Sequence, residues 1–150
     1  MRLAAALDVD YLAVSFVRQA ADVQEARALL LAAGSDALKD RVIPPVLRGE
    51  KIAALAVTEP SGGSDVAAVR THAVRDGSHY VINGKKSWIT SGPVARYIML
   101  FALTAPEKGA KGVSCFAIDT ELPGFHRGKT EPKLGIRASA TCEIEFSDYR

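Results

Sequence analysis

The stretch THAVRDGSHYVINGKKSWITSG, residues 71–92, sets two strand-forming runs, THAVRD and HYVIN, on either side of Asp76-Gly77-Ser78. An Asp-Gly step supplies the positive-φ backbone that a tight hairpin requires, so two antiparallel strands are predicted here. SWIT follows as a further strand. Working outward, the chain keeps this character from Lys51 onward: IAALAVT (52–58), YIMLFALT (97–104) and VSCFAIDT (113–120) are short runs separated by Gly, Pro, Asn and Asp. Near the end, Cys142, Ile144 and Phe146 alternate with Glu143 and Glu145, the pattern of a strand with one wet face. Many short strands at close spacing predict a mainly β fold, a barrel or sandwich.

Upstream the pattern changes. YLAVSFV (11–17) is an apolar run of strand length, and Val23, Ala26, Leu29, Leu30 and Ala33 then recur at helical spacing until Gly34. Ser35 or Asp36 caps a second helix through Val42, where Pro44 and Pro45 are expected to interrupt it. Two N-terminal helices before the strands make the chain α+β overall. The expected organisation is a βα segment over 1–34, a helical lead-in over 35–50 and a β-domain over 51–150.

Composition excludes several classes. With 48% hydrophobic and 24% charged residues in 150, the chain reads as globular. Its formal net charge of +2 comes from 19 basic and 17 acidic residues scattered without a single-sign block, which argues against a nucleic-acid partner or a polybasic membrane patch. Asp8 and Asp10 interrupt the apolar N-terminus, which is therefore neither a signal peptide nor a membrane span, and a cytoplasmic location is expected. Cys115 and Cys142 form no CxxC and are read as strand-core thiols. His72, His79 and His126 have no ligating spacing, so no metal is expected. The basic stretch from Arg127 through Lys133 and Arg137 reads as a solvated loop.

Chemistry enters at AVTEPSGGSD (56–65). Gly62 and Gly63 remove Cβ atoms where the chain turns, so backbone N–H groups can approach an anion, and Ser64 adds a hydroxyl. A phosphate or pyrophosphate suits such a loop; an ordinary surface turn has the same composition. In KKSWITSG (85–92), Trp88 stands two residues before Thr90 on a predicted strand. Same-side positions would present a flat aromatic and a hydroxyl together, suited to a ring system with polar edges. Equally, Trp88 reads as a core anchor.

TEPSGGSD, DGSHYVINGKKSWITSG, KGVSCFAIDTELPGF and KLGIRASATCEIEFSDYR resemble, motif by motif and in order, the middle β-domain of the acyl-CoA dehydrogenases. The resemblance covers roughly residues 35–150. It implies FAD as cofactor, with Val57 and Thr58 bordering the flavin ring and Thr58 hydrogen-bonding its pyrimidine edge. Gly63 and Ser64 would meet the pyrophosphate, and Trp88 and Thr90 would lie against the isoalloxazine near its reactive nitrogen. The implied reaction removes a proton α to an acyl-CoA thioester and sends a hydride from the β carbon to flavin N5, with electrons passing to an electron-transferring flavoprotein. In that family the carboxylate base belongs to a C-terminal helical domain, and the sequence ends at FSDYR, so no catalytic residue is assigned. Glu59 and Asp65 are read as turn and packing residues.

Residues 4–34, with the pattern DVDYLAVSFVR, resemble instead one βα unit of pyruvate kinase. That kinase's catalytic lysine and metal carboxylates have no counterpart, so no kinase activity is implied. A chimera or fragment is therefore expected, with weak flavin binding at most and no turnover by these residues alone. The unpaired strand edges of a lone βα unit favour association, so a partly disordered or self-associating N-terminus is expected, and with it homo-oligomer formation. The alternative is a chimeric β-domain that binds nothing.

Overall fold

The computed structural model describes residues 35–65 and 68–150. The βα reading of 1–34 and its pyruvate-kinase resemblance lie outside the described residues. Helix α1 spans Asp36–Leu47 and is followed by β1 (Ala53–Ala56), β2 (His72–Asp76), β3 (His79–Thr90), β4 (Tyr97–Leu103), β5 (Val113–Asp119), β6 (Phe125–Thr130) and β7 (Thr141–Tyr149). They form one curled sheet of order β1-β4-β2-β3-β7-β6, with β5 on β4. No helix among the described residues is long and apolar enough to cross a membrane.

Strand β4 organises the sheet. β5 pairs antiparallel along its whole length, from Tyr97↔Asp119 to Leu103↔Val113. The opposite edge is shared: β1 runs parallel to its first half and β2 meets its end at His72↔Leu103. Both faces of β4 are covered, which is why YIMLFAL is almost continuously apolar. On the inner face Ile98, Leu100 and Ala102 join Ile82, Ile89, Ile118, Ile144 and Phe146 in the main core. On the outer face Tyr97, Met99 and Cys115 pack against Val42 of α1.

The mainly β architecture is as expected. The Asp76-Gly77 hairpin forms with Asp76↔His79 as its last pair and Gly77 at φ 61. In β7, Cys142, Ile144 and Phe146 are buried while Glu145 is exposed, as the alternation predicts. Cys115 and Cys142 are both buried and are not joined by a disulfide.

Four expectations need correction. Pro44 and Pro45 do not end the second helix, which Ser35 caps by accepting from Leu38 N and which runs to Leu47. Pro45 has no N–H to offer the Arg41 carbonyl, and the Tyr97 hydroxyl donates to that carbonyl instead, at 3.4 Å. HYVIN and SWIT are one strand of 12 residues rather than two, because Gly84, at φ 145, makes a bulge and not a break. IAALAVT pairs only over Ala53–Ala56; beyond it the Val57 carbonyl turns to a lysine of β3. Finally, much of the basic stretch is ordered. Arg127 lies in edge strand β6, and its guanidinium donates to the Ala95 carbonyl and Thr120 Oγ1. Lys133 Nζ donates to the Ser139 carbonyl and Thr141 Oγ1, and Arg137 Nε donates to the Lys133 carbonyl.

Candidate functional site

Because β1 and β2 occupy one edge of β4 in succession, the chain between them has no place in the sheet and must leave and return. That excursion is TEPSGGSD and its continuation to Thr71. It turns tightly: Glu59 N donates to Gly62 O at 2.9 Å and Gly62 N to Glu59 O at 3.0 Å. Gly62 has φ 149 and open space where a Cβ would stand, so a ligand could approach the backbone there. Gly63 is different, since a Cβ on it would lie 2.8 Å from Thr58 Oγ1 and 2.9 Å from Thr58 Cγ2. Thr58 therefore fills the space that Gly63 leaves, and the two predicted positions pack directly against each other. Ser64 is exposed on the loop beyond them.

The loop is closed from inside. The Glu59 carboxylate accepts from Arg70 N and Thr71 N, both at 2.8 Å, tying the returning chain to the departing one. The same carboxylate meets Lys86 Nζ of β3 at 2.9 Å, with the lysine side chain 0% and the glutamate 4% exposed. Lys86 Nζ also donates to Val57 O at 3.0 Å. Burial alone would push the Glu59 carboxyl up, but hydrogen bonds from Thr71, Lys86 and Arg70 outweigh it and hold the group at about 2. Burial lowers Lys86, and Glu59 opposes that shift. Each charge thus keeps its partner ionised in a place where neither would persist alone.

Beside this pair, β3 carries the aromatic. Its register with β7 slips between Lys86 and Ile89, so Lys86 and Ser87 are both buried and Trp88 adopts φ 61. Trp88 is 64% exposed, which overturns the core-anchor reading. Ile89 between it and Thr90 is buried, and Thr90, like Trp88, is exposed. Ser87 N donates to Thr58 O at 2.8 Å, joining the end of β1's extension to the residue before Trp88. The structure thus brings Val57, Thr58 and Gly63 to the β3 bulge that presents Trp88, with Thr90 further along at its pair with Thr141.

The surface offers a flat aromatic face, a peptide unit fixed by a buried ammonium, and a glycine turn followed by a hydroxyl. These features fit a planar heteroaromatic ring with a phosphate-bearing arm. Sequence reasoning missed Lys86 and Ser87. Lys86 stands two residues before Trp88, which in a regular strand would give it the same exposed side; only the Lys85-Lys86 doublet, which cannot face one way, hinted otherwise.

A family model described as acyl-CoA dehydrogenase, middle domain, matches residues 54–149. The chain is 49% identical over 115 residues to the short-chain specific acyl-CoA dehydrogenase of Clostridium acetobutylicum, covering 77% of this chain and 30% of that protein. A probable acyl-CoA dehydrogenase of Mycobacterium abscessus superposes with a TM-score of 0.77 at 46% identity, over 81% of this chain and 32% of that one. The glutaryl-CoA dehydrogenase of Mycobacterium smegmatis, solved in complex with FADH2, gives 0.71 at 37% identity, over 78% and 29%. The chain therefore spans under a third of the length of these relatives. With the middle-domain match running through all seven strands among the described residues, from β1 to the end of β7, the chain belongs to the acyl-CoA dehydrogenase family.

Proposed function

We propose that residues 51–150 form the flavin-bearing middle domain of an acyl-CoA dehydrogenase, and that FAD lies across the face built by Val57, Thr58, Gly63, Ser64, Trp88 and Thr90. The observation that carries this reading is the convergence of the packed Thr58–Gly63 pair of TEPSGGSD and the Trp88 bulge of β3, two separate motifs of the family, on one patch. Thr58 would hold the pyrimidine edge, Trp88 and Thr90 the ring beside its reactive nitrogen, and Gly63 and Ser64 the pyrophosphate.

When bound, FAD would supply the hydride acceptor for α,β-dehydrogenation of an acyl-CoA thioester, with an electron-transferring flavoprotein as the onward partner. This chain's own residues would bind and orient the ring. They would not abstract the α proton: Glu59, the buried carboxylate of the motif, is engaged by Arg70 N, Thr71 N and Lys86 Nζ and is held ionised by them. The base and the rest of the thioester cleft are assigned to parts of the relatives' length that these residues do not span, so no turnover is expected from them alone. A cytoplasmic location and a homo-oligomeric assembly complete the reading.

The test is a titration of the purified chain with FAD, following quenching of flavin fluorescence and the visible band, with Trp88→Ala and Ser64→Ala in parallel. Saturable binding, weakened about tenfold or more in each variant, is the expected result for loss of one stacking or phosphate contact. A folded chain without saturable binding would instead support the β-domain that has kept the motifs and lost the ligand.

A further inference from the structure

The Lys86 side chain is fully buried, and its ammonium is held by one carboxylate and one backbone carbonyl. A buried ion pair is a poor way to stabilise a fold, because desolvation of both charges consumes most of their attraction. The second bond of Lys86 points to another role. Val57 O, which it holds at 3.0 Å, belongs to the peptide unit whose N–H is that of Thr58. A charge-assisted bond at the carbonyl end of an amide draws electron density toward the oxygen and makes the N–H end a stronger donor. Thr58 is fixed on its far side as well, through its own carbonyl to Ser87 N. Both peptide units flanking Thr58 are therefore anchored to consecutive residues of the β3 bulge, immediately before Trp88.

Resting on the flavin reading above, we propose that Lys86 is a positioning residue: with Glu59 as its buried counter-charge, it fixes and polarises the Val57–Thr58 peptide, and through it tunes the affinity and reduction potential of the flavin. A stronger donor at the pyrimidine edge stabilises the more electron-rich reduced ring over the oxidised one. Losing the ammonium therefore weakens binding and moves the potential to more negative values.

The decisive variant is the double substitution Lys86→Met with Glu59→Gln. It removes both charges together, leaves no unpaired buried ion, and keeps an acceptor oxygen for one of the two amides, Arg70 N or Thr71 N. Its fold is checked by near-UV circular dichroism and by the amide spectra of β4 and β5. In the ligand-free chain, the Val57 carbonyl carbon resonance is expected to move upfield and the Thr58 amide proton to shift with it. With FAD added, the variant should bind about tenfold more weakly than the parent, the scale of one charge-assisted hydrogen bond. The bound flavin should show a more negative midpoint potential and a displaced visible band. A folded double variant that matches the parent in affinity and potential overturns the positioning role while leaving the flavin site intact. A parent chain that binds no FAD overturns the flavin site, and this role with it.

Discussion

The packing of Gly63 on Thr58 yields a quantitative prediction for Gly63→Ala. The glycine backbone is not in the left-handed region, so the new methyl group meets steric resistance alone. An ideal Cβ would lie 2.8 Å from Thr58 Oγ1, 2.9 Å from Cγ2 and 3.3 Å from Cβ, all inside ordinary van der Waals contact. Rotating Thr58 about χ1 does not relieve this. Its two γ heavy atoms occupy two of three staggered positions, and both of those positions face Gly63, so every rotamer leaves at least one γ atom there. The backbone of Thr58 cannot retreat cheaply either, because its carbonyl is tied to Ser87 N at 2.8 Å. The expected cost is that of overpacking a closed contact, about 1–3 kcal/mol. Thr58→Ala removes both γ atoms and leaves only the 3.3 Å approach to relax, so Gly63→Ala should be far milder in that background. A double-mutant cycle by urea denaturation, read as midpoints at constant m, should give a coupling of about 1–2 kcal/mol between the two sites. A Gly63→Ala chain within about 0.5 kcal/mol of the parent, or a cost unchanged by Thr58→Ala, would refute the reasoning.

Three further outcomes are expected. Glu59 is held at about 2 against an ordinary 4.5, so its contribution, roughly 3 kcal/mol, is fully present above pH 4.5 and lost as pH falls toward 2; the slope of denaturation midpoint against pH in that window should flatten in Glu59→Gln, and an equal slope in both chains would rule the mechanism out. Tyr149 OH donates to Asp119 O and accepts from Asp119 N, both at 3.0 Å, so Tyr149→Phe should cost about 1–3 kcal/mol. Because burial pushes that phenol up to about 12, ultraviolet titration of the parent should show a phenol step near 12 that is absent from Tyr149→Phe. Trp88 is the chain's single tryptophan and is 64% exposed, so Trp88→Ala should leave the denaturation midpoint within about 0.5 kcal/mol of the parent, and emission near that of free indole should be seen in the ligand-free chain; a strongly blue-shifted emission would contradict the exposed placement.

Local signals served well where neighbours along the chain set the outcome. The Asp76-Gly77 hairpin follows from one positive-φ step, and the faces of β7 follow from alternation at Cys142, Ile144 and Phe146, because both depend only on backbone geometry within a few residues. Strand β6 was hidden because FHRGKT is an exposed edge whose charges are paired or solvated, so it carries no apolar alternation. The persistence of α1 through Pro44 and Pro45 depended on Tyr97, a distant residue that takes up the Arg41 carbonyl.

The same division runs through the site. From the sequence alone came the glycine turn, the hydroxyl of Ser64 and the Trp88-x-Thr90 spacing, since these are properties of residue type and of adjacent positions. Tertiary structure alone decided that Trp88 faces outward, that Gly63 must yield space to Thr58, and that Lys86 and Glu59 form the buried support beneath them. The physical reason is that one extra residue in β3 reverses which side chains are buried, and that the β1–β4–β2 order forces the intervening loop off the sheet and onto that bulge. Neither the strand register nor the order of strands on a shared edge is written in any single segment; both are set by partners far away along the chain.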